Sequence, residues 1–149
     1  FESKYLRMIR RDDWDFVKRK SVGGVVGIIA VTPEDKLVLV EQHRIPVQAA
    51  TIELPAGLAG DTAAFAGEPL ETAARRELLE ETGWQADRMV KMAVGPSSAG
   101  MTDETVTLFR AEGLRKTGAG GGDEHENILV HEIPMAGLLD WLDERHRQR

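Results

Sequence analysis

Three glutamates, Glu77, Glu80 and Glu81, fall within five residues, with Arg76 just before them and Glu68 eight residues upstream of Arg76. Carboxylates gathered this closely repel one another and call for something cationic among them. The stretch that carries them, residues 67–84, reads as a helix. Pro69 suits the first turn, where its missing N–H costs nothing. Glu68 and Glu71 sit at the positive end of the helix dipole. Residues 70–82 are almost all good helix formers, and Gly83 is placed to stop the helix. At about 100° per residue, Leu70, Ala73, Ala74, Glu77 and Glu81 share one face, with Glu80 at its border. Like charges four apart repel and burying them unpaired is costly, so a cation is expected between them. On composition alone the same segment also reads as a solvated helix with an Arg76–Glu80 pair at i, i+4.

The elements that position this helix read as strands with one further helix. Residues 14–17 alternate as a short strand. Residues 23–31 form a continuous apolar run suited to a strand buried on both faces. A turn at residues 32–35 leads to a strand over 36–42, and the two predict a hairpin. Further strands are expected at 50–54, 89–94, 105–110 and 128–133, and a closing helix at 136–145 with Leu138, Leu139 and Leu142 as a core stripe flanked by Trp141. Strands mixed with two helices predict a mixed sheet between helical layers. Residues 118–122 (GAGGG) read as a flexible loop and not a phosphate-binding loop, because no Gly-Lys-Ser/Thr follows.

Composition bounds the partners. The 149 residues predict a single domain, 1–149, with length enough for a core. The net charge of −6 argues against a nucleic acid polymer, which needs a basic stripe, but leaves room for a small phosphorylated ligand. There is no cysteine, so thiolate chemistry and disulfides are excluded. No apolar run approaches ~18 residues, so no membrane span is expected. A cytoplasmic protein is expected, and the start at Phe1 rather than Met is read as a short leader either removed or lying outside these 149 residues.

The string Arg76-Glu77-Leu78-Leu79-Glu80-Glu81-Thr82-Gly83-Trp84, with Glu68 upstream, resembles the signature of the Nudix hydrolases. That signature runs Gly, five residues, Glu, seven residues, then Arg-Glu-aliphatic-x-Glu-Glu-x-Gly-aliphatic. Trp84 stands where an aliphatic residue is usual. Thr62 stands where the first glycine would be; Gly57 takes that part with ten intervening residues, so residues 60–67 read as a loop insertion. Residues 53–57 (ELPAG), 100–104 (GMTDE) and 123–128 (DEHENI) look like the ADP-ribose pyrophosphatase and nucleotide-sugar branch.

The resemblance implies an α/β/α sandwich and hydrolysis of a diphosphate linking a nucleoside to another moiety, with Mg²⁺ or Mn²⁺. It implies Glu77 and Glu81 as main metal ligands, Glu80 assisting, and the Ala56 carbonyl as a further ligand. Arg76 would orient the carboxylates, and so would Glu68. Glu124 is favoured as general base and Glu126 as support on the metal side; the alternative is two solvated loop carboxylates, and His125 between them has no matching role. Glu104 aligns with an acid near the diphosphate, or is a surface residue. Arg44, in a segment similar to Gln-Tyr-Arg-x-Pro, is a candidate phosphate contact or a strand-end surface arginine. Trp14 and Phe16 would stack a base or anchor the first strand, and the N-terminal strands imply a homodimer. ADP-ribose enzymes of the branch have a proline 15 residues after the last box position. Here that position is Ala99, which favours a broader nucleoside diphosphate-sugar activity. Three alternatives are an ADP-ribose pyrophosphatase proper, an enzyme that cleans up nucleoside triphosphates, and a nucleotide sensor without catalysis.

Overall fold

The computed structural model describes residues 1–20, 22–122 and 127–147. The chain opens on an antiparallel hairpin, β1 (Leu6–Arg11) and β2 (Trp14–Arg19), with Met8 opposite Val17. The alternation at residues 14–17 therefore belongs to a longer strand, and its partner β1 is too charged to be visible as a strand in the sequence.

Two sheets follow. One is mixed: β6 (Ala56–Ala59), β3 (Gly24–Ala30), β9 (Thr105–Glu112) and β8 (Arg88–Pro96), in that order, with β3 and β9 parallel. The other is antiparallel, with β4 (Lys36–Arg44) between β11 (Leu129–Pro134) and β5 (Ala49–Glu53). A short pair, β7 (Trp84–Gln85) with β10 (Arg115–Lys116), follows the end of the first helix. The expected β3–β4 hairpin does not form. A strand has two hydrogen-bonding edges, and those of β3 are taken by β6 and β9, so only the single bridge Val31–Leu37 joins the two at their turn.

Helix α1 (Leu70–Thr82) packs against β6 and β3 and is the element the core is built on. Its Ala73, Ala74 and Leu78 cluster with Val26, Ile28 and Ala30 of β3 and Phe109 of β9, all buried. Leu78, absent from the apolar face read from the sequence, is fully buried. Pro69 stands one place before the helix, as its N-cap. Gly83 ends it at φ 71°, left-handed backbone that favours glycine, and a Cβ there would also strike the Gly118 carbonyl. Residues 118–122 are not loose. Gly121 N–H donates to the Glu81 carbonyl at 2.8 Å and Gly122 N–H to that of Glu80 at 3.1 Å, satisfying the end of α1.

Helix α2 (Leu138–Arg147) lies over β11, with Trp141 edge-on to His131 at 5.1 Å. None of its residues is buried and Leu139 is 76% exposed, so the expected leucine stripe is replaced by Leu138, Trp141 and Leu142, all half-buried. The two sheets, one of them mixed, with helix α1 on one and α2 on the other, match the α/β/α sandwich expected. No helix among the described residues is long and apolar enough to cross a membrane.

Candidate active site

The carboxylates of α1 meet strand β6 at very short range. Glu77 points at Gly57, where a Cβ would fall inside its carboxylate. A side chain at residue 57 would have to displace that carboxylate, so glycine suits this place on β6, as the candidate for the displaced signature glycine. Glu81, 2% exposed, accepts a hydrogen bond from the Ala56 N–H at 3.0 Å. At Ala56 the structure thus shows the amide engaged with one of the candidate metal ligands.

Arg76 is the cation between the acids. Its Nη2 reaches Glu68 at 2.8 Å and the Leu58 carbonyl at 3.1 Å; its Nη1 bridges Glu77 at 2.9 Å and Glu80 at 3.0 Å. The guanidinium lies 4.3 Å from the centre of the Phe65 ring, and its Nε is buried with no hydrogen-bond partner. Burial works against the charge of Arg76, but the hydrogen bond to Glu68 and the charges of Glu77 and Glu80 outweigh it and hold its pKa above the ordinary value. The hydrogen bond from Arg76 likewise holds Glu68 below the usual carboxylate range. Glu77 behaves differently. Burial pushes it up to about 7, Arg76 pulls it only part of the way back, and Glu80 and Asp61 add like-charge repulsion.

Arg76, Glu77, Glu80, Glu81 and Asp61 line a cavity of about 420 Å³. Arg44 reaches its wall already forked onto Glu53, at 2.9 Å from Nε and 2.6 Å from Nη2. Glu104 lines it too, held at 2.7 Å by Nε of Arg19. Trp14 and Phe16 lie elsewhere, in a neighbouring groove of about 410 Å³ that also holds Ala99. There Trp14 Nε1 donates to the Gly100 carbonyl at 3.1 Å, and Arg11 lies 5.3 Å from the Phe16 ring centre. Glu124 and Glu126 lie outside the described residues.

A profile of the NUDIX domain matches residues 23–148. The chain belongs to the Nudix family. Among its relatives, a methanol dehydrogenase activator of Bacillus methanolicus is 37% identical over 82% of this chain and 64% of its own length. An ADP-ribose pyrophosphatase of Bacillus subtilis is 36% identical over the same shares, 82% and 64%. The chain thus spans less than two thirds of either relative. A crystal structure described as an ADP compounds hydrolase superposes with a TM-score of 0.74 at 20% identity, covering 96% of this chain and 78% of that one; it is similar in fold.

The Nudix helix here departs from the family string at Trp84, and the departure is accommodated. Trp84 is buried, its Nε1 donates to Glu132 at 3.0 Å, and Lys116 bonds both Glu132 and the Thr82 carbonyl at 3.0 Å. Sequence reasoning missed Arg19, Gln42 and Asp61 on the cavity wall and Phe65 beneath Arg76. For Arg19 a signal existed: alternation along β2 puts it on the opposite face from Trp14 and Phe16. Asp61 and Phe65 lie in the inserted turn, whose course no periodicity predicts.

The donor set suits a hard divalent cation. Glu77, Glu80 and Glu81 provide only oxygen, and at Glu77 burial outweighs the pull of its neighbouring cation Arg76. Among the described residues, no three acidic or histidine side chains already surround a common point. Glu77 and Glu80 are drawn onto Arg76, and Glu81 onto the Ala56 amide.

Proposed function

We propose that this Nudix chain is a divalent-metal-dependent pyrophosphatase acting on a nucleoside diphosphate-linked compound, a nucleoside diphosphate-sugar above all. It would release a nucleoside monophosphate and the other moiety as its phosphate. The observation that carries this reading is the meeting, in one cavity, of the α1 carboxylates with Arg19 and Arg44. A diphosphate needs both: cationic donors for its oxygens, and acids that hold a cation against it.

In this reading Glu77, Glu81 and Glu80, with the Ala56 carbonyl, hold Mg²⁺ or Mn²⁺, and Glu126 supports that side. A cation bound there supplies charge neutralisation and a water of lowered pKa. Arg76 and Glu68 keep the carboxylates in place. Arg19 and Arg44 orient phosphate oxygens, Glu104 sets the Arg19 guanidinium, and Glu124 takes the proton from the attacking water. Gly122, the last described residue before 123–126, is bonded to the carbonyl of Glu80 at 3.1 Å, and its nearness to the α1 carboxylates supports Glu124 as the base. Trp14 and Phe16 offer aromatic faces to the nucleoside base. The N-terminal hairpin, which the domain match leaves out, exposes Tyr5, Leu6, Met8 and Trp14 and is read as a homodimer surface.

A second reading, an ADP-ribose pyrophosphatase proper, is favoured by the name of the Bacillus subtilis relative. One assay separates them. Phosphate-ester products are measured from ADP-ribose, several nucleoside diphosphate-sugars and nucleoside triphosphates, with Mg²⁺ and with chelator. Metal-dependent turnover of several diphosphate-sugars is expected. Turnover of ADP-ribose alone favours the second reading, and no turnover by the folded protein overturns both.

A further inference from the structure

The lengthened turn, residues 60–67, takes no part in the steps above, yet it is fastened to the site. Gly60 N–H donates to Glu68 at 3.3 Å, Glu68 N–H to the Phe65 carbonyl at 2.9 Å, and the Phe65 ring backs the Arg76 guanidinium. A turn held at these points is a wall. Between it and residues 22–23 lies a second, open hollow of about 460 Å³, most of whose lining residues are exposed, inside the roughly 300–1,000 Å³ range of small-ligand sites. Asp61 lines both this hollow and the carboxylate cavity, so the two adjoin at this residue.

The hollow's chemistry is narrow. Its side chains are Val22, Asp61, Thr62, Ala63 and Ala66, with glycine backbone between them. They are small, and none is cationic. The Thr62 hydroxyl makes no capping hydrogen bond to the short turn that follows it. A group entering from the diphosphate side therefore meets one negative charge, one hydroxyl and backbone amides, with no cationic side chain among the lining residues.

We propose that residues 60–67 are the specificity-determining wall of the site. The hollow behind Asp61 receives the uncharged, hydroxyl-rich moiety on the far side of the diphosphate. The inference rests on the pyrophosphatase reading of the neighbouring cavity. Asp61 accepts hydrogen bonds from the hydroxyls of that moiety and repels a carboxylate or phosphate in its place. Ala63 and Ala66 leave the volume that it fills.

The test is calorimetric binding, in Mg²⁺, of the α,β-methylene analogues of ADP-ribose and of ADP, which have no cleavable bridging oxygen. Ala63→Phe fills the hollow. Its expected effect is a loss of about tenfold in affinity for the ADP-ribose analogue, the size of one hydrogen-bonded contact, with the ADP analogue unchanged. Equal losses for both, no loss for either, or no binding of either by the wild type would overturn the proposal. Asp61→Asn keeps the volume and carries the test if Ala63→Phe does not fold. It should relax the preference for the methylene analogue of ADP-glucose over that of ADP-glucuronate, and an unaltered preference counts against the hollow. If the wild type binds the ADP-ribose analogue through the hollow but hydrolyses no parent compound, the pyrophosphatase reading fails and the hollow stands.

Discussion

Glu77 should cost the metal-free protein stability, and the cost should depend on pH. Its carboxyl is pushed from 4.5 to about 7 in the folded chain, burial first among the causes. Below pH 4.5 both folded and unfolded chains hold the proton. Between 4.5 and 7 the folded chain holds a proton that the unfolded chain has released, so stability falls as pH rises through this window and stays lower above it. A shift of 2.5 units, from 4.5 to about 7, corresponds to about 3 kcal/mol. Glu77 keeps 13% of its side-chain exposure, so this is a ceiling. Glu77→Gln removes the titration and retains the shape and an acceptor for Arg76. In chelator at pH 8.5 the variant should melt above the wild type, by up to about 6–12 °C at about 2–4 °C per kcal/mol. At pH 4.5 the two should coincide. Adding Mg²⁺ should raise the melting temperature of the wild type at pH 8.5 and that of the variant much less. Calorimetric melts across this range decide it. A variant that melts below the wild type at pH 8.5, or a difference independent of pH, would refute the reasoning.

Other perturbations follow from the same contacts. Arg76→Met removes the only cation contacting Glu68 and Glu77 among the described ion pairs; leaving buried charge unpaired should cost about 3–5 kcal/mol, read by urea denaturation at pH 8. Glu81→Gln keeps an acceptor for the Ala56 amide, so stability should hold within about 1 kcal/mol while kcat falls by orders of magnitude; comparable turnover at saturating Mg²⁺ would remove Glu81 from the metal site. Gly57→Ala forces the Glu77 carboxylate aside and should cost about 1–3 kcal/mol, with a parallel loss of Mg²⁺ affinity measured by calorimetry. Arg19→Gln should raise KM for a diphosphate-sugar more than it lowers kcat, and a change confined to kcat would argue against a phosphate contact.

What could be read in advance was local. Helix α1 announces itself because Pro69, the run of helix formers and Gly83 all lie within its own sequence, and its carboxylates follow from a fixed period. Pairing is not local. The run over 23–31 reveals a strand, but nothing in it says that β6 and β9 will occupy both its edges. Strand β6 itself, Ala-Gly-Leu-Ala, has no β-branched residue and no alternation to betray it; it is held by its pairing with β3, over residues 24–27. Arg19 shows the same limit from the other side. Its partner Glu104 is 85 residues away, and only the packing of the N-terminal hairpin on residues 97–104 brings them together. Leu139 of α2 departs for a different reason: it is 76% exposed while Leu138 and Leu142 are half-buried, so it lies on the outer face of the helix among the described residues.

The misplaced glycine shows which part of the Nudix string is physical and which is only spacing. Two requirements meet at the site: a residue without Cβ beneath Glu77, and a carboxylate on the far side of Arg76. Gly57 and Glu68 satisfy both. The chain between them need only start and end at the right places, and Gly60 N–H on Glu68 closes it. Because each doubling of loop length costs only about 0.6 kcal/mol in closure entropy, ten residues serve nearly as well as five. The longer path then gains contacts of its own, with Phe65 on the Arg76 guanidinium and Asp61 at the cavity. Deleting the five extra residues should therefore leave the Arg76–Glu68 bridge and the metal affinity largely intact while removing discrimination between diphosphate-sugars. If deletion instead abolishes Mg²⁺ binding, the turn is part of the metal site and the division argued here is wrong.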